Sequence, residues 1–469
     1  MKNISIWQEY QEITKEYKEL KETNTDILII GGGITGLTIA YYLKDYNKKI
    51  ILIDKSTIGS GITSKTTAKI TYLQQDIYRK LINTHGKSKA KEYYDSQKEA
   101  INEILKIIKD NNIECDLEKV NSVLFTTNNK NKLLKEKTIL ENYGEKVNNY
   151  QDEFIKNGFI VDNTYTFNPI KYLNSLKRII KDKVNIYENI IATNIKKEKD
   201  NYLIKTNRGI INSKIVVLAC HYPFFIIPNL FPLKTHIERE YVCSSKIKKS
   251  KKITIINIDK DLYSVRYYQD NLIYGSNEHR LTNKIDYQKQ YQKSKDDFIK
   301  YFNNKPQYLW MNQDIISNDY LPFIGNLKDN LYTSTAYNTW GMTNATIGGK
   351  IISNLILKKD NRYISLFNPN RINIPLIINS FIGMFHYLKA YIESLYNINN
   401  PNYIKIKGIT YGIYIDKYGK THKINLLCPH MKCHLVFNKQ EKTWDCPCHG
   451  SRFDLDGNII NTPSTKKIS

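Results

Sequence analysis

Cys428, His430, Cys446 and His449 form two short pairs, Cys428-x-His430 and Cys446-x-x-His449, with fifteen residues between them. Each pair brings one soft thiolate and one imidazole toward a single point. That mixture suits a two-iron, two-sulfur cluster in which one iron keeps two Cys and the other takes two His. Zinc is the competing reading, because small Cys and His clusters also hold zinc. Zinc sites usually run a Cys pair and then a His pair, whereas each loop here carries one of each kind. Cys433 and Cys448 stand beside these four residues at positions where they could be bridged. His434 lies outside both pairs and reads as a solvent-facing residue.

A second chemistry lies near the other end. Asp26 to Ile30 is a continuous apolar strand, Gly31-Gly32-Gly33-Ile34-Thr35-Gly36 is a G-x-G-x-x-G turn, Leu37 to Lys44 reads as a helix, and Lys49 to Ile53 is a second strand ending in Asp54. The glycines let backbone N–H groups approach a pyrophosphate at the helix N-terminus, and the acid accepts ribose hydroxyls. A lone glycine-rich turn also serves close packing. Strand, helix and terminal acid in register point instead to a dinucleotide.

Later segments decide between a flavin and a nicotinamide. After Lys55 comes a loop of small residues, Ile58 to Lys69, which holds Ser64 and Thr67 and suits a close passage beneath an isoalloxazine ring. Ile215 to Pro223, containing Ala219, resembles the V-V-x-A-T-x-Y-P strand of flavoproteins. Asp319 to Gly325 and Ala336 to Asn344, with Gly341, Met342 and Thr343, resemble the segment that runs to the flavin pyrimidine. A helix over about 345–357 would aim its N-terminal N–H groups there. The likeness to flavoproteins also implies that Ala192 falls where a backbone group contacts adenine.

Together these segments resemble the D-amino-acid-oxidase-like FAD oxidoreductases, which include glycine and sarcosine oxidases. The likeness runs from residue 26 to about residue 365. It implies FAD on Gly31, Gly32, Gly33, Gly36 and Asp54, completed by Lys55, Ser64, Thr67, Lys69, Ala192, Ala219, Gly341, Met342 and Thr343. Lys69 stands where relatives carry the His used for covalent attachment, and no Cys lies near Asn312, where sarcosine oxidases attach theirs. The FAD is therefore expected to be non-covalent.

The two Cys/His loops resemble Rieske domains of the disulfide-bearing kind, typified by quinol-oxidising complexes. Those loops read C-T-H-x-G-C and C-P-C-H-G-S, and this chain departs at Pro429 and Lys432. The resemblance implies a Cys433–Cys448 disulfide. Rieske potentials, spanning roughly −150 to +300 mV, depend on hydrogen bonds to the sulfurs. Ser451 keeps one donor, while the Tyr expected two residues later is Phe453, so a potential below the top of that range is expected. Asn461 to Ser464 resembles the proline-containing loop over the cluster. The whole chain is similar to a bacterial subgroup in which such a flavoprotein is fused to a C-terminal Rieske domain, and Thr66-Thr67-Ala68-Lys69 is typical of it.

The expected fold class is an α/β, FAD/NAD(P)-binding Rossmann-like domain with an inserted antiparallel-sheet substrate domain, followed by a small all-β Rieske domain. A polar leader occupies 1–25, with one helix around Tyr10 to Leu20. The oxidoreductase spans 26–367, its FAD-binding parts about 26–80, 160–235 and 305–367 and its substrate-domain parts about 81–159 and 236–304. Helix Lys87 to Asn111 presents an apolar and aromatic stripe that belongs to the core. Residues 368–402 form a linker with a helix, and 403–469 the Rieske domain, with turns at Gly408, Gly412 and Gly419. Arg266 and His279 are the substrate-side candidates, since an Arg fork suits a carboxylate.

The formal charge of +24 comes from lysines spread along the chain rather than gathered in a stripe, so solvated faces are expected and no nucleic acid. The opening residues lack the apolar run of a signal peptide. Pro375 to Ile392 is too short and too polar to span a bilayer and reads as a helix packed on the flavoprotein, so no transmembrane segment is expected. Cys115, Cys220 and Cys243 are scattered as in a reducing, cytoplasmic compartment. The expected function is a dehydrogenase that oxidises a small amine or amino acid and passes electrons from flavin through the [2Fe-2S] cluster to an external acceptor. An electron-transfer component fed by a nicotinamide, or a redox-sensing binding protein, are the alternatives. Oligomers are compatible with all three.

Overall fold

A computed structural model describes residues 1–12, 20, 23–223, 230–248, 250–259, 263–281, 285–396, 403–406 and 408–468. Most of the helix expected over Tyr10 to Leu20 lies outside them. The strands β1 (Thr23–Ile30) and β2 (Ile50–Ile53) flank α1 (Ile34–Leu43), the expected strand–turn–helix–strand unit. β1 runs parallel to β2 on one side and to β3 (Gly209–Leu218) on the other. Strands covered on both faces must be apolar throughout, and Ile27, Leu28, Ile29, Val216, Val217 and Leu218 are all fully buried. The eight-stranded sheet continues through Leu331–Thr335, and the expected meander, Ala192–Glu198 then Asn201–Thr206, leads antiparallel into β3.

A nine-stranded sheet forms the second layer. Its β4 (Thr235–Lys246) pairs antiparallel with β5 (Asn271–Arg280) and with β6 (Tyr308–Ser317), while α2 (Tyr287–Phe302) covers one face. β6 was expected in the flavin-binding part, about 305–367. It pairs with β4 of the nine-stranded sheet along ten residues. α3 (Gly341–Ile356) packs against α1, and its first turn lies at Gly341 rather than Ala345.

Two residues of the expected polar leader belong to the core. Ile6 and Trp7 are buried, and the Trp7 Nε1 donates to the Thr66 carbonyl at 2.6 Å. The linker holds α4 (Ile374–Tyr396), followed by a small domain of one three-stranded and one four-stranded sheet. Gly408 and Gly419 have φ of +81° and +83°, as turns require. Gly412 is not a turn. It lies within strand Ile409–Ile415, where a Cβ would come 2.3 Å from the Trp444 ring.

Candidate functional site: a dinucleotide cavity beside a Cys/His cluster

The glycine turn opens onto a cavity of about 500 Å³. Gly31 has φ +115°, and a Cβ there would stand 2.6 Å from the Ala219 carbonyl oxygen; one on Gly36 would stand 1.8 Å from the Gly31 oxygen. The turn is therefore a backbone cradle that side chains would destroy, which fits a pyrophosphate. Asp54, half-buried, accepts from the Gly32 N–H at 2.7 Å and the Ser56 N–H at 2.8 Å, and desolvation raises its pKa. Each oxygen keeps a further lone pair for a ribose.

Gly31, Gly33, Asp54, Lys55, Ala192, Ala219, Gly341 and Met342 line the cavity as expected. Gly32 and Gly36 shape its rim from behind. Ser64, Thr67, Lys69 and Thr343 do not line it. The Ser64 hydroxyl turns to the Ser60 and Gly61 carbonyls, Thr67 accepts from the Lys69 Nζ at 3.2 Å, and the Thr343 hydroxyl faces Gln74. Lys69 is buried, which lowers its pKa to about 8 against the pull of Glu240.

Both substrate-side candidates need correction. The Arg266 guanidinium is committed to the carbonyls of Thr67 (2.6 Å), Ala68 (2.9 Å) and Phe167 (2.7 Å), and it lies 5.0 Å from the Trp7 ring. It ties down the 58–69 loop and leaves no fork for a substrate carboxylate. His279 pairs opposite Arg239 on β5, stacks on Tyr241 and faces its Nδ1 to the Asn277 carbonyl at 3.1 Å. Burial lowers it to about 4, and its side of the sheet is the one turned away from the cavity.

The opposite side of the same strands carries groups that the sequence reading missed. Asn312 and Asp314 of β6 line the cavity, and Glu240 and Glu238 of β4 stand opposite them in register. The Asn312 amide donates to Asp314 at 2.7 Å, while its buried Oδ1 has no partner among the described residues. Burial raises Glu240 to about 7, with Lys69 opposing. His221 also lines the cavity and is lowered to about 4 by burial. Strand alternation would have gathered the β6 residues, had the strand's partner been known.

At the other site the four Cys/His candidates converge. Cys428, Cys446 and His449 are buried, the Cys446 thiol lowers the pKa of Cys428 to about 7, and the rings of His430 and His449 lie 5.0 Å apart. The Nδ1 atoms of both histidines are buried without partners among the described residues. Burial lowers His430 to about 4 and, with help from His430, His449 to about 3. Neutral imidazoles with orphaned nitrogens beside two thiols are what a two-iron cluster requires when one iron is held by two Cys and the other by two His. Cys433 and Cys448 form a disulfide, so although Cys433, Cys446 and Cys448 crowd together, the bridged pair is not available as ligands. Ser451 is buried and its hydroxyl oxygen accepts the Ser464 N–H at 2.9 Å. His434 is half-buried against Ser394 of α4, not solvent-facing.

The two sites share walls. Ile459 to Thr462, Ser464 and Thr465 line the dinucleotide cavity, and the Lys55 ammonium donates to the Ile460 carbonyl. β6 lies between: Asn312 and Asp314 face the cavity, while Gln313 between them donates to the carbonyl of Gly450, next to His449, at 3.0 Å. A buried charge network clamps the small domain to this face. Arg239 meets Asp445 at 2.8 Å with both side chains fully buried, Asp445 also meets Arg452 at 3.1 Å, and Tyr291 donates to Glu441 at 2.6 Å. Burial works against the Glu441 charge, but Arg452 and Lys65 hold its pKa at about 2.

Known proteins show the same two parts. Residues 387–469 match the Rieske [2Fe-2S] domain. YhfW of Bacillus subtilis (strain 168), a Rieske 2Fe-2S iron–sulfur protein by its description, is 29% identical over 96% of this chain and 93% of its own. Among solved structures, glycine oxidase from Geobacillus kaustophilus superposes with a TM-score of 0.63 at 14% identity, over 75% of this chain and 100% of that one. L-proline dehydrogenase from P. horikoshii also reaches 0.63, at 18% identity, over 75% and 98%. The cofactors are accordingly FAD and a [2Fe-2S] cluster. Residues 26–355 match the FAD dependent oxidoreductase family, and the chain belongs to that family, as an oxidoreductase carrying a Rieske domain at its C-terminal end.

Proposed function

We propose that the chain oxidises the carbon–nitrogen bond of an amine or amino acid and passes the electrons singly through its own Rieske domain to an external acceptor. The observation that carries this reading is β6, a single strand with Asn312 and Asp314 on the cavity side and Gln313 bonded to the loop of His449 on the other. When bound, FAD accepts a hydride from the carbon beside nitrogen, and the cluster carries one electron at a time.

The chain's own residues prepare the substrate. An amine gives up hydride only as the free base, and Glu240, raised to about 7 by burial, is a group able to take its proton near neutral pH. Glu238, Glu240 and Asp314 suit an ammonium better than a carboxylate. The amino-acid enzymes named among the structural neighbours support the same substrate class. FAD is held without a covalent bond, Lys69 being turned away from the cavity toward Thr67. The test is anaerobic bleaching of the bound flavin against amines, amino acids and a reduced nicotinamide. Bleaching by an amine or amino acid is expected, and bleaching by the nicotinamide alone would overturn the reading.

A further inference from the structure

Helix α4 buries Leu376 and Ala390 but leaves most of its large apolar side chains exposed. A helix on a globular surface normally turns its apolar stripe inward. Here the inward face carries Asn379, which donates to the Asn318 carbonyl at 2.7 Å, Gly383, and Tyr387, which donates to the Thr235 carbonyl at 2.6 Å. The outward face carries Ile374, Ile378, Phe381, Phe385, Leu388 and Ile392, a stripe at helical spacing whose members are 44% to 73% exposed. Apolar surface this contiguous marks an interaction site.

Charge selects the occupant. The chain carries a formal +24, so a second copy would be repelled, whereas an anionic surface would be attracted. The helix itself carries Lys389 and Glu393, Arg280 packs beneath it at Gly383, and His236 in the neighbouring strand is paired with Glu238, so the attraction rests on the charge of the whole chain. No helix among the described residues is long and apolar enough to cross a membrane, and a helix with one strongly apolar face lies in the bilayer interface instead. We propose that α4 docks this protein onto an anionic lipid bilayer, its Ile/Phe/Leu stripe entering the headgroup boundary. On the helix's other side Tyr387 stacks on His449 at 4.6 Å, so docking sets the cluster ligand about one helix diameter, roughly 10 Å, from the lipid.

The test is flotation of the full-length holoprotein with phosphatidylglycerol-containing vesicles and with phosphatidylcholine vesicles, at low and high salt. Binding to the anionic vesicles is expected. The F381D/F385D double variant should bind at least about tenfold less, with unchanged flavin content and unchanged thermal melting, because neither ring is buried in the core. The same loss in an I378D variant guards against a local folding fault. A wild-type protein that stays unbound to both vesicles would overturn the proposal. So would a double variant that floats like the wild type, or one that only converts a dimer to a monomer, which would assign the stripe to a second copy of the chain.

Discussion

At the cluster, the working parts are side chains from two neighbouring loops: two thiols, two imidazoles and a disulfide. At the dinucleotide cavity they are chiefly backbone: the Gly31 to Gly36 turn, the Ala219 carbonyl that no Cβ may approach, and the Asp54 carboxylate held by two N–H groups. A site of side chains is carried within a short stretch of sequence and fails when one ligand is lost. A site of backbone depends on strands far apart in the chain arriving in register, and single side chains around it matter less. β6 and the Arg239–Asp445 pair join one kind of site to the other.

The largest expected effect separates the two. His430→Ala removes a cluster ligand, and since losing only an outer partner of a metal site costs about 10- to 100-fold, turnover with a one-electron acceptor should fall by more than about 100-fold. Iron content should fall with it. Anaerobic bleaching of the flavin by substrate should stay near the wild-type rate, because the cavity walls are intact. Wild-type turnover in this variant would show that the Rieske domain does not carry the electrons.

Next comes the joint between the sites. Arg239→Met leaves Asp445 buried and short of a partner, a change that costs about 3–5 kcal/mol in comparable buried pairs. Denaturant unfolding should show it as a separate, earlier transition of the small domain. Adding Asp445→Asn should cost less than the sum of the two single changes, since the orphaned charge is then gone. A loss under about 1 kcal/mol would mean that water reaches the pair and that the clamp is weak.

Much of this was legible from the residues. The cluster ligands and the glycine turn announce themselves because type and spacing are local, and the parallel β1–β2 unit followed from its apolar strands. The limits are equally physical. Nothing in the run Ser264-Val265-Arg266 reveals that three carbonyls, two in the 58–69 loop and one at Phe167, converge on the guanidinium. Gly412 resembles a turn residue until Trp444 is seen against it. Asn312 and Asp314 became cavity residues only when β6 was found paired with β4, a non-local event. Trp7 was missed for the same reason, its partners Thr66 and Arg266 being distant in sequence.

The smallest expected effect is a pH dependence confined to the joint. Glu441 is largely buried, which works against its charge, yet Arg452 and Lys65 hold its folded pKa at about 2, below the ordinary value of 4.5. A carboxyl depressed by folding contributes its full stability above the unfolded pKa and loses it as pH falls through the folded pKa, because the unfolded chain takes up the proton first. The window here runs from about pH 4.5 down to about pH 2. By pH 3 the loss from this one group is about 2 kcal/mol, from the linkage relation with those two values. Other carboxylates titrate in the same range, so the measurement is a difference: unfolding of wild type and Glu441→Gln compared at pH 5 and pH 3. The variant starts less stable, because Arg452 and Tyr291 lose a charged partner, but its stability should fall less steeply over that interval. Parallel curves for the two proteins would show that Glu441 is not held ionised at the joint, and that the Arg239–Asp445 pair, with Arg452, anchors the Rieske domain without it.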